Sequence, residues 1–243
     1  MQSGVYVGVS GQIALQERLE TIAHNVANSS TAGFRAEEVK FATVLSNVSR
    51  ESRDATAFAT SGQTFLSRDS GALVRTDNQF DVAVQGNVWM SIEINGQQVY
   101  TRDGRMRMTD NGDLQTLNGY PVLDAGGAPI TINPKGGTPE IARDGTITQN
   151  GRQFGAIGLF RIAEDAKLIR APNSGVIPNT PAEPALDFSN VGVLQGYVER
   201  ANVNPVLEMT RLISVHRAFD AITNSIDKTE KTLQEAIKTL AGT

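Results

Sequence analysis

Chemistry at neutral pH is concentrated in a few residue types, and this 243-residue chain is sparing with them: it has no cysteine and two histidines, His24 and His216. Without cysteine there is no thiolate nucleophile, no disulfide and no thiolate-held zinc or iron–sulfur cluster. The neighbouring carboxylates complete no ligand set around His24, and Asp220 alone accompanies His216. Gly8-Val9-Ser10-Gly11 has the outline of a nucleophile elbow, but Gln12 stands where the next glycine is needed and no strand–turn–helix frame surrounds it. The aspartates Asp103, Asp110, Asp113, Asp124 and Asp144 are the remaining acid/base candidates. They sit mostly among turn residues, where a carboxylate bonds its own backbone, and turn duty outweighs catalysis. Gly126-Gly127 and Gly136-Gly137 lack the Lys-Ser/Thr sequel of a phosphate cradle. The residues thus predict no catalytic, cofactor-binding or metal site.

The elements that would position any site follow from punctuation. All nine prolines fall between Pro121 and Pro205, and eighteen of the 23 glycines between Gly62 and Gly196. Both residue types weaken helix interiors, so their absence from Gln12–Ala32 and Val206–Ala241 permits a long helix at each end. In the second stretch Leu212, Phe219, Ile226, Leu233 and Leu240 recur every seven residues, with Val215, Ile222, Thr229 and Ala236 three after each of the first four. That is a narrow heptad seam. Asn204 is placed to cap it, Pro205 to start it, and Gly242 to end it. Leu15, Leu19, Ile22 and Val26 form a shorter seam near the N-terminus, which Val5 and Val9 extend. Narrow seams suit helix-on-helix packing, so the two ends are expected to pack together; the alternative is that each helix caps the centre separately.

Between 35 and 75 no period wins; Phe41, Phe58 and Phe65 are scattered in polar sequence, and the stretch reads as an extended connector. From Thr76 the period becomes two, as half-buried strands require: Phe80, Val82, Val84, then Val88, Met90, Ile92, Ile94. Asn95-Gly96, Asp103-Gly104, Asn111-Gly112, Asn118-Gly119, Asp144-Gly145 and Asn150-Gly151 recur as hairpin turns, and prolines at 172, 178, 181 and 184 mark a loop. The expected fold class is α+β: long terminal helices in a coiled-coil-like domain (1–34 with 200–243), the connector (35–75), and an inserted antiparallel β domain (76–199).

Composition excludes several functions. Hydrophobic residues at 40% and charged residues at 20% fit an ordinary folded protein, and the net charge of −4 without a basic patch argues against a nucleic-acid partner. No apolar run reaches membrane-spanning length, and no basic n-region precedes an apolar block, so neither membrane insertion nor a cleavable signal peptide is expected.

The stretch from His24 to Arg35, with Asn25-Val26-Ala27-Asn28 leading into Thr31-Ala32-Gly33-Phe34, closely resembles the N-terminal signature of the bacterial flagellar axial proteins. Gly192-Val193-Leu194-Gln195-Gly196, Ala201-Asn202-Val203-Asn204-Pro205-Val206 and His216-Arg217-Ala218-Phe219 resemble its C-terminal signature, with Ala201 where serine is usual and His216 where glutamine is usual. Phe80-Asp81-Val82-Ala83-Val84-Gln85-Gly86, Tyr100-Thr101-Arg102-Asp103-Gly104 and Gly112-Asp113-Leu114 are similar to the β domain of rod and hook proteins. Within the family, the short β domain disfavours a hook protein, and its presence disfavours the smallest rod subunits. Trp89, after Gly86-Asn87-Val88, and the Gly33-Phe34-Arg35-Ala36 run favour a proximal-rod over a distal-rod subunit.

The resemblance implies a structural rod subunit that assembles helically with copies of itself and other rod proteins. It also implies passage through the flagellar type III export apparatus and residence in the periplasm-spanning rod, carrying motor torque. Assembly would run through Leu15, Leu19, Ile22, Val26, Leu212, Val215, Phe219, Ile222, Ile226, Leu233 and Leu240. The competing reading is a β binding module with dimerising helices, which exposed aromatics from Trp89, Tyr100 and Tyr120 would favour.

Overall fold

The computed structural model describes residues 2–40, 43–46, 56–59, 63–240 and 242, with side chains throughout except at 2–5, 43–46, 56–59, 233 and 240. Phe41 and the side chains of Val5, Phe58, Leu233 and Leu240 lie outside the described residues. The chain is α+β: helix α1 spans Gln2–Ala27, helix α2 spans Pro205–Leu240, and short strands fill the sequence between them. It divides into two compact units, one made of 1–27, 37–67 and 204–243, the other of 28–36 and 68–203.

In the first unit α1 and α2 pack together, as the seams predict. Asn204 caps α2, its Oδ1 accepting from the Leu207 N–H at 3.2 Å. Pro205 opens the helix, and Glu208 in the first turn is buried and paired with Arg211 Nη1 at 2.6 Å. The register follows from three contacts: a Cβ on Gly8 would lie 3.1 Å from Ile226, a Cβ on Gly11 would lie 3.4 Å from Ile222, and Gln12 Nε2 donates to Thr223 Oγ1 at 3.2 Å. Numbers rise on one helix as they fall on the other, so the pair is antiparallel. Two residues without side chains bring the backbones close where Ile222 and Ile226 insert. Extrapolated at about 1.5 Å per residue, this register leaves the last two turns of α2, about 12 Å, beyond the start of α1. Ile237, on the same α2 face as Ile226, is accordingly 65% exposed.

The segment read as a connector carries more order than its composition indicates. Glu37–Lys40 pairs antiparallel with Gln63–Leu66, and between them Thr43–Ser46 pairs with Thr56–Ala59. Cross-strand backbone bonds order these strands without an apolar period.

The second unit is antiparallel β throughout its described strands. Its six-stranded sheet runs Leu168–Ala171, Gly175–Pro178, Gln97–Thr101, Trp89–Ile94, Leu159–Arg161, Glu183–Pro184. A three-stranded sheet, Glu140–Ile141, Thr146–Gln149 and Arg152–Ala156, and three paired ribbons complete it. Asn95 and Gly96 both have positive φ, 53° and 77°, and join Ile94 to Gln97 by the two-residue turn the sequence predicts. Two expectations are corrected. Val82, Val84, Val88, Met90, Ile92 and Ile94 are buried, but so are Ala83, Trp89 and Ser91 between them, so these strands are covered on both faces rather than half-buried. The proline-marked loop contains strands, with Pro178 and Pro184 tolerated at strand ends, Pro184 on a sheet edge.

Candidate assembly interface

Each half of the predicted seam comes from one helix, and the two halves meet within one chain. Ile22 and Val215 are buried; Leu15, Leu19, Val26, Leu212, Phe219, Ile222 and Ile226 are half-buried. Leu233 and Leu240 lie on α2, with side chains outside the described residues. With the seam engaged in holding α1 to α2, other apolar side chains of the same helices face outward. On α1 these are Tyr6, Val9 and Ile13, so Val9 does not extend the seam as expected; on α2 they are Val206, Leu207, Met209, Ile213 and Ile237.

The signature residues have separate work. Asn25 grips the backbone of Glu37 twice, Nδ2 donating to its carbonyl at 2.8 Å and Oδ1 accepting its N–H at 2.9 Å. In the second unit, Thr31 N–H closes a turn on the Asn28 carbonyl at 3.0 Å. Gly33 follows with φ of 65° and donates to the Glu199 carbonyl at 2.8 Å. A Cβ there would run into the Arg102–Asp103 peptide. Phe34 is buried under the Arg170 guanidinium, 4.4 Å from the ring centroid. Ala36 N–H donates to Asn202 Oδ1 at 2.6 Å, and Asn202 Nδ2 donates to the Asp69 carbonyl at 2.9 Å. The segment entering this unit at 28–36 is therefore tied to the segment leaving it at 198–203.

Beneath that tie lies a buried charge cluster the sequence reading missed. Glu199 Oε1 meets Arg35 Nη2 at 2.9 Å and Oε2 meets Arg102 Nη1 at 3.1 Å, with all three side chains 2% exposed or less. Arg102 also donates to the carbonyls of Val84, at 2.7 Å, and Gly86. Both guanidiniums lie against Trp89, 5.6 Å and 5.5 Å from its ring centroid. Burial lowers the pKa of Arg35 against the pull of Glu199, and pushes that of Arg102 down to about 10, which leaves Arg102 cationic at neutral pH. Arg35, Trp89 and Arg102 were visible as motif residues; Glu199 carried no signal, being one glutamate in Tyr197-Val198-Glu199-Arg200.

The acid/base candidates serve turns. Asp124 Oδ1 accepts the N–H groups of Gly126 and Ala128, each at 2.8 Å, and Asp144 accepts from Thr146 N–H at 3.0 Å and Oγ1 at 2.8 Å. Asp103 holds Arg105 at 2.8 and 2.7 Å, Asp113 accepts from Thr131 Oγ1 at 3.2 Å, and Asp110 is exposed. His24 Nδ1 lies 3.4 Å from Glu37 and His216 Nε2 lies 3.9 Å from Asp220. Among the described residues no three His, Cys, Asp or Glu cluster as metal ligands, and no helix is long and apolar enough to cross a membrane.

The aromatics a binding module would present are withdrawn. Trp89 is buried, and Tyr100 packs edge-on against Phe160 with centroids 5.3 Å apart. A cavity of about 590 Å³ in the second unit is lined by Asn87, Arg161, Glu164, Glu183, Asp187 and smaller or apolar neighbours, with no aromatic.

The chain is similar to known proteins along most of its length. Residues 5–35 match the family model Flagella basal body rod protein, 83–149 match Flagellar hook protein FlgE/F/G D1 domain, and 194–239 match Flagellar basal body rod FlgEFG protein C-terminal. The flagellar basal-body rod protein FlgF of Mesorhizobium japonicum is 48% identical over 242 residues, covering 100% of this chain and 99% of the relative. FlgF of Rhizobium meliloti is 45% identical with the same coverage. The flagellar basal-body rod protein FlgG of Agrobacterium fabrum is 29% identical, over 88% of this chain and 90% of the relative.

Proposed function

This chain belongs to the flagellar basal-body rod protein family, and on that footing we propose that it builds the proximal part of the flagellar rod. It is a structural subunit and not an enzyme. The higher identity to FlgF than to FlgG relatives supports the proximal over the distal position.

The observation that carries the reading is the helix pair drawn from the two ends of the chain. Leu15, Leu19, Ile22, Val26, Leu212, Val215, Phe219, Ile222 and Ile226, with Leu233 and Leu240, make that pair the assembly element by holding α1 to α2 as a coiled-coil-like rod segment. The apolar side chains left outside are available to neighbouring rod subunits, including copies of this chain. Many repeated contacts of this kind carry torque along the rod, and the chain reaches its place through the flagellar export apparatus.

An in-frame deletion tests the proposal. Cells lacking the chain should lose swimming and carry basal bodies that stop below the distal rod, and the wild-type chain supplied in trans should restore both. Normal rods in the deletion strain would overturn the reading.

A further inference from the structure

We propose that the buried charge cluster of the second unit is a halide site, a single chloride held by the indole N–H of Trp89 and by guanidinium N–H groups of Arg35 and Arg102. Among the described residues, Trp89 Nε1, Arg35 Nε and Nη1, and Arg102 Nε are buried and reach no hydrogen-bond acceptor. The side chains that carry them are 1%, 1% and 2% exposed, so bulk water does not serve them. Buried N–H groups are nearly always paired, and four such nitrogens in one cluster call for a common acceptor. Stacking does not supply it. A ring face relieves a guanidinium, but the indole N–H lies in the plane of its own ring and leaves by the edge.

Charge decides which acceptor fits. Glu199 brings one negative charge to two positive ones, and its oxygens are already engaged, Oε1 by Arg35 Nη2 and the Gly71 N–H, Oε2 by Arg102 Nη1. Asp69, the other carboxylate whose field reaches Arg35, is exposed and screened by water. The cluster is therefore one positive charge in excess, where an unpaired charge is costly. Water would accept N–H groups and leave that charge standing; an anion answers both needs.

Enclosure decides its size. Lining side chains no more than 2% exposed leave no mouth for a ligand carrying a carboxylate or phosphate, whereas a monatomic ion can enter as the unit folds or briefly opens. Both guanidinium carbons lie within 5.6 Å of the Trp89 ring centroid, and both guanidiniums share Glu199, which gathers the donors around one small ion. Arg35 belongs to the segment entering the unit and Glu199 to the segment leaving it, so occupancy strengthens the tie between them.

Bromide is the probe, since it matches chloride in charge, is close to it in size, and quenches an indole it touches. Trp89 is the sole tryptophan, so the fluorescence of the full-length chain reads this site. Bromide is titrated with overnight equilibration at constant ionic strength, sodium gluconate making up the balance. Quenching should saturate on a one-site curve with a midpoint below about 100 mM, and added chloride should move that curve to higher bromide. Replacing gluconate by chloride should also raise the urea midpoint of the wild type. Arg35→Lys keeps the charge but loses the guanidinium fork, and should weaken halide binding at least about tenfold in both measurements. Where circular dichroism shows that variant unfolded, Trp89→Phe, which keeps a ring and loses the indole N–H, is read by its urea midpoint, which chloride should no longer raise. Quenching that stays linear in bromide, or that ignores chloride, overturns the proposal and leaves water as the acceptor. A folded variant that responds to halide like the wild type overturns it as well, and the wild-type titration decides if neither variant folds.

Discussion

Replacing Glu199 by glutamine tests whether one carboxylate sustains the second unit. The substitution keeps size and an acceptor for the Gly71 N–H, which Oε1 receives at 2.8 Å. It removes the charge facing Arg35 and Arg102, whose side chains are 1% and 2% exposed. A guanidinium keeps its proton inside a protein, so both arginines stay charged in the variant and are left buried without their shared partner. Breaking a buried pair by removing one partner costs about 3–5 kcal/mol. A domain holds about 5–15 kcal/mol in all, so the variant loses about a fifth or more. At roughly 2–4 °C per kcal/mol for a unit of this size, its melting temperature should fall by about 6–20 °C. Trp89 is the sole tryptophan and lies against both arginines, so its fluorescence during urea unfolding of the full chain reports this unit alone. Replacing Arg35, Arg102 and Glu199 together by methionine should recover part of the loss, the remainder reflecting the Val84 and Gly86 carbonyls that Arg102 satisfies. A Glu199→Gln stability within about 1 kcal/mol of wild type would refute the compensation argument.

Gly33→Ala should destabilise the same unit by about 3 kcal/mol or more, since it adds left-handed strain to a collision with the Arg102–Asp103 peptide; a stability change too small to measure by urea titration would contradict the geometry. Ile222→Asp places a carboxylate against Gly11 in the helix pair and should cost about 2–4 kcal/mol and abolish swimming, while Gln234→Asp, on an exposed position, should swim normally; equal motility of the two would count against the seam. Asp144, whose pKa is lowered chiefly by the Thr146 N–H, contributes stability above its ordinary value that is lost as pH falls through its lowered value. Thermal melts of Asp144→Ala should therefore differ from wild type near pH 6 and converge with it under strong acid; a difference that grows with acidity has the wrong sign.

Local signals were legible and distant ones were not. Asn204 and Pro205 announced the start of α2 because a cap is written within one turn, and the heptads announced the seam because helical contacts recur at fixed spacing. The two-residue turn at Asn95-Gly96 was equally local. Glu199 meets Arg35 across 164 positions of sequence, and no spacing rule links them. Ala83 and Ser91 looked like outward positions of alternating strands, because the segments that cover that face come from elsewhere in the chain. The resemblance pointed to the Thr-x-Gly-Phe run without saying why it matters. The reason is steric at Gly33 and electrostatic at Arg35, and both causes lie in partners that the motif does not contain.

The bonds from Gly33 to Glu199 and from Ala36 to Asn202 turn the intervening chain into a closed loop. Tension applied at residues 28 and 203 passes across those two crossings and does not stretch the strands inside. The loop is then hidden length, a cargo hung from a knot, and its size is free to drift without altering the distance between the points where the chain enters and leaves.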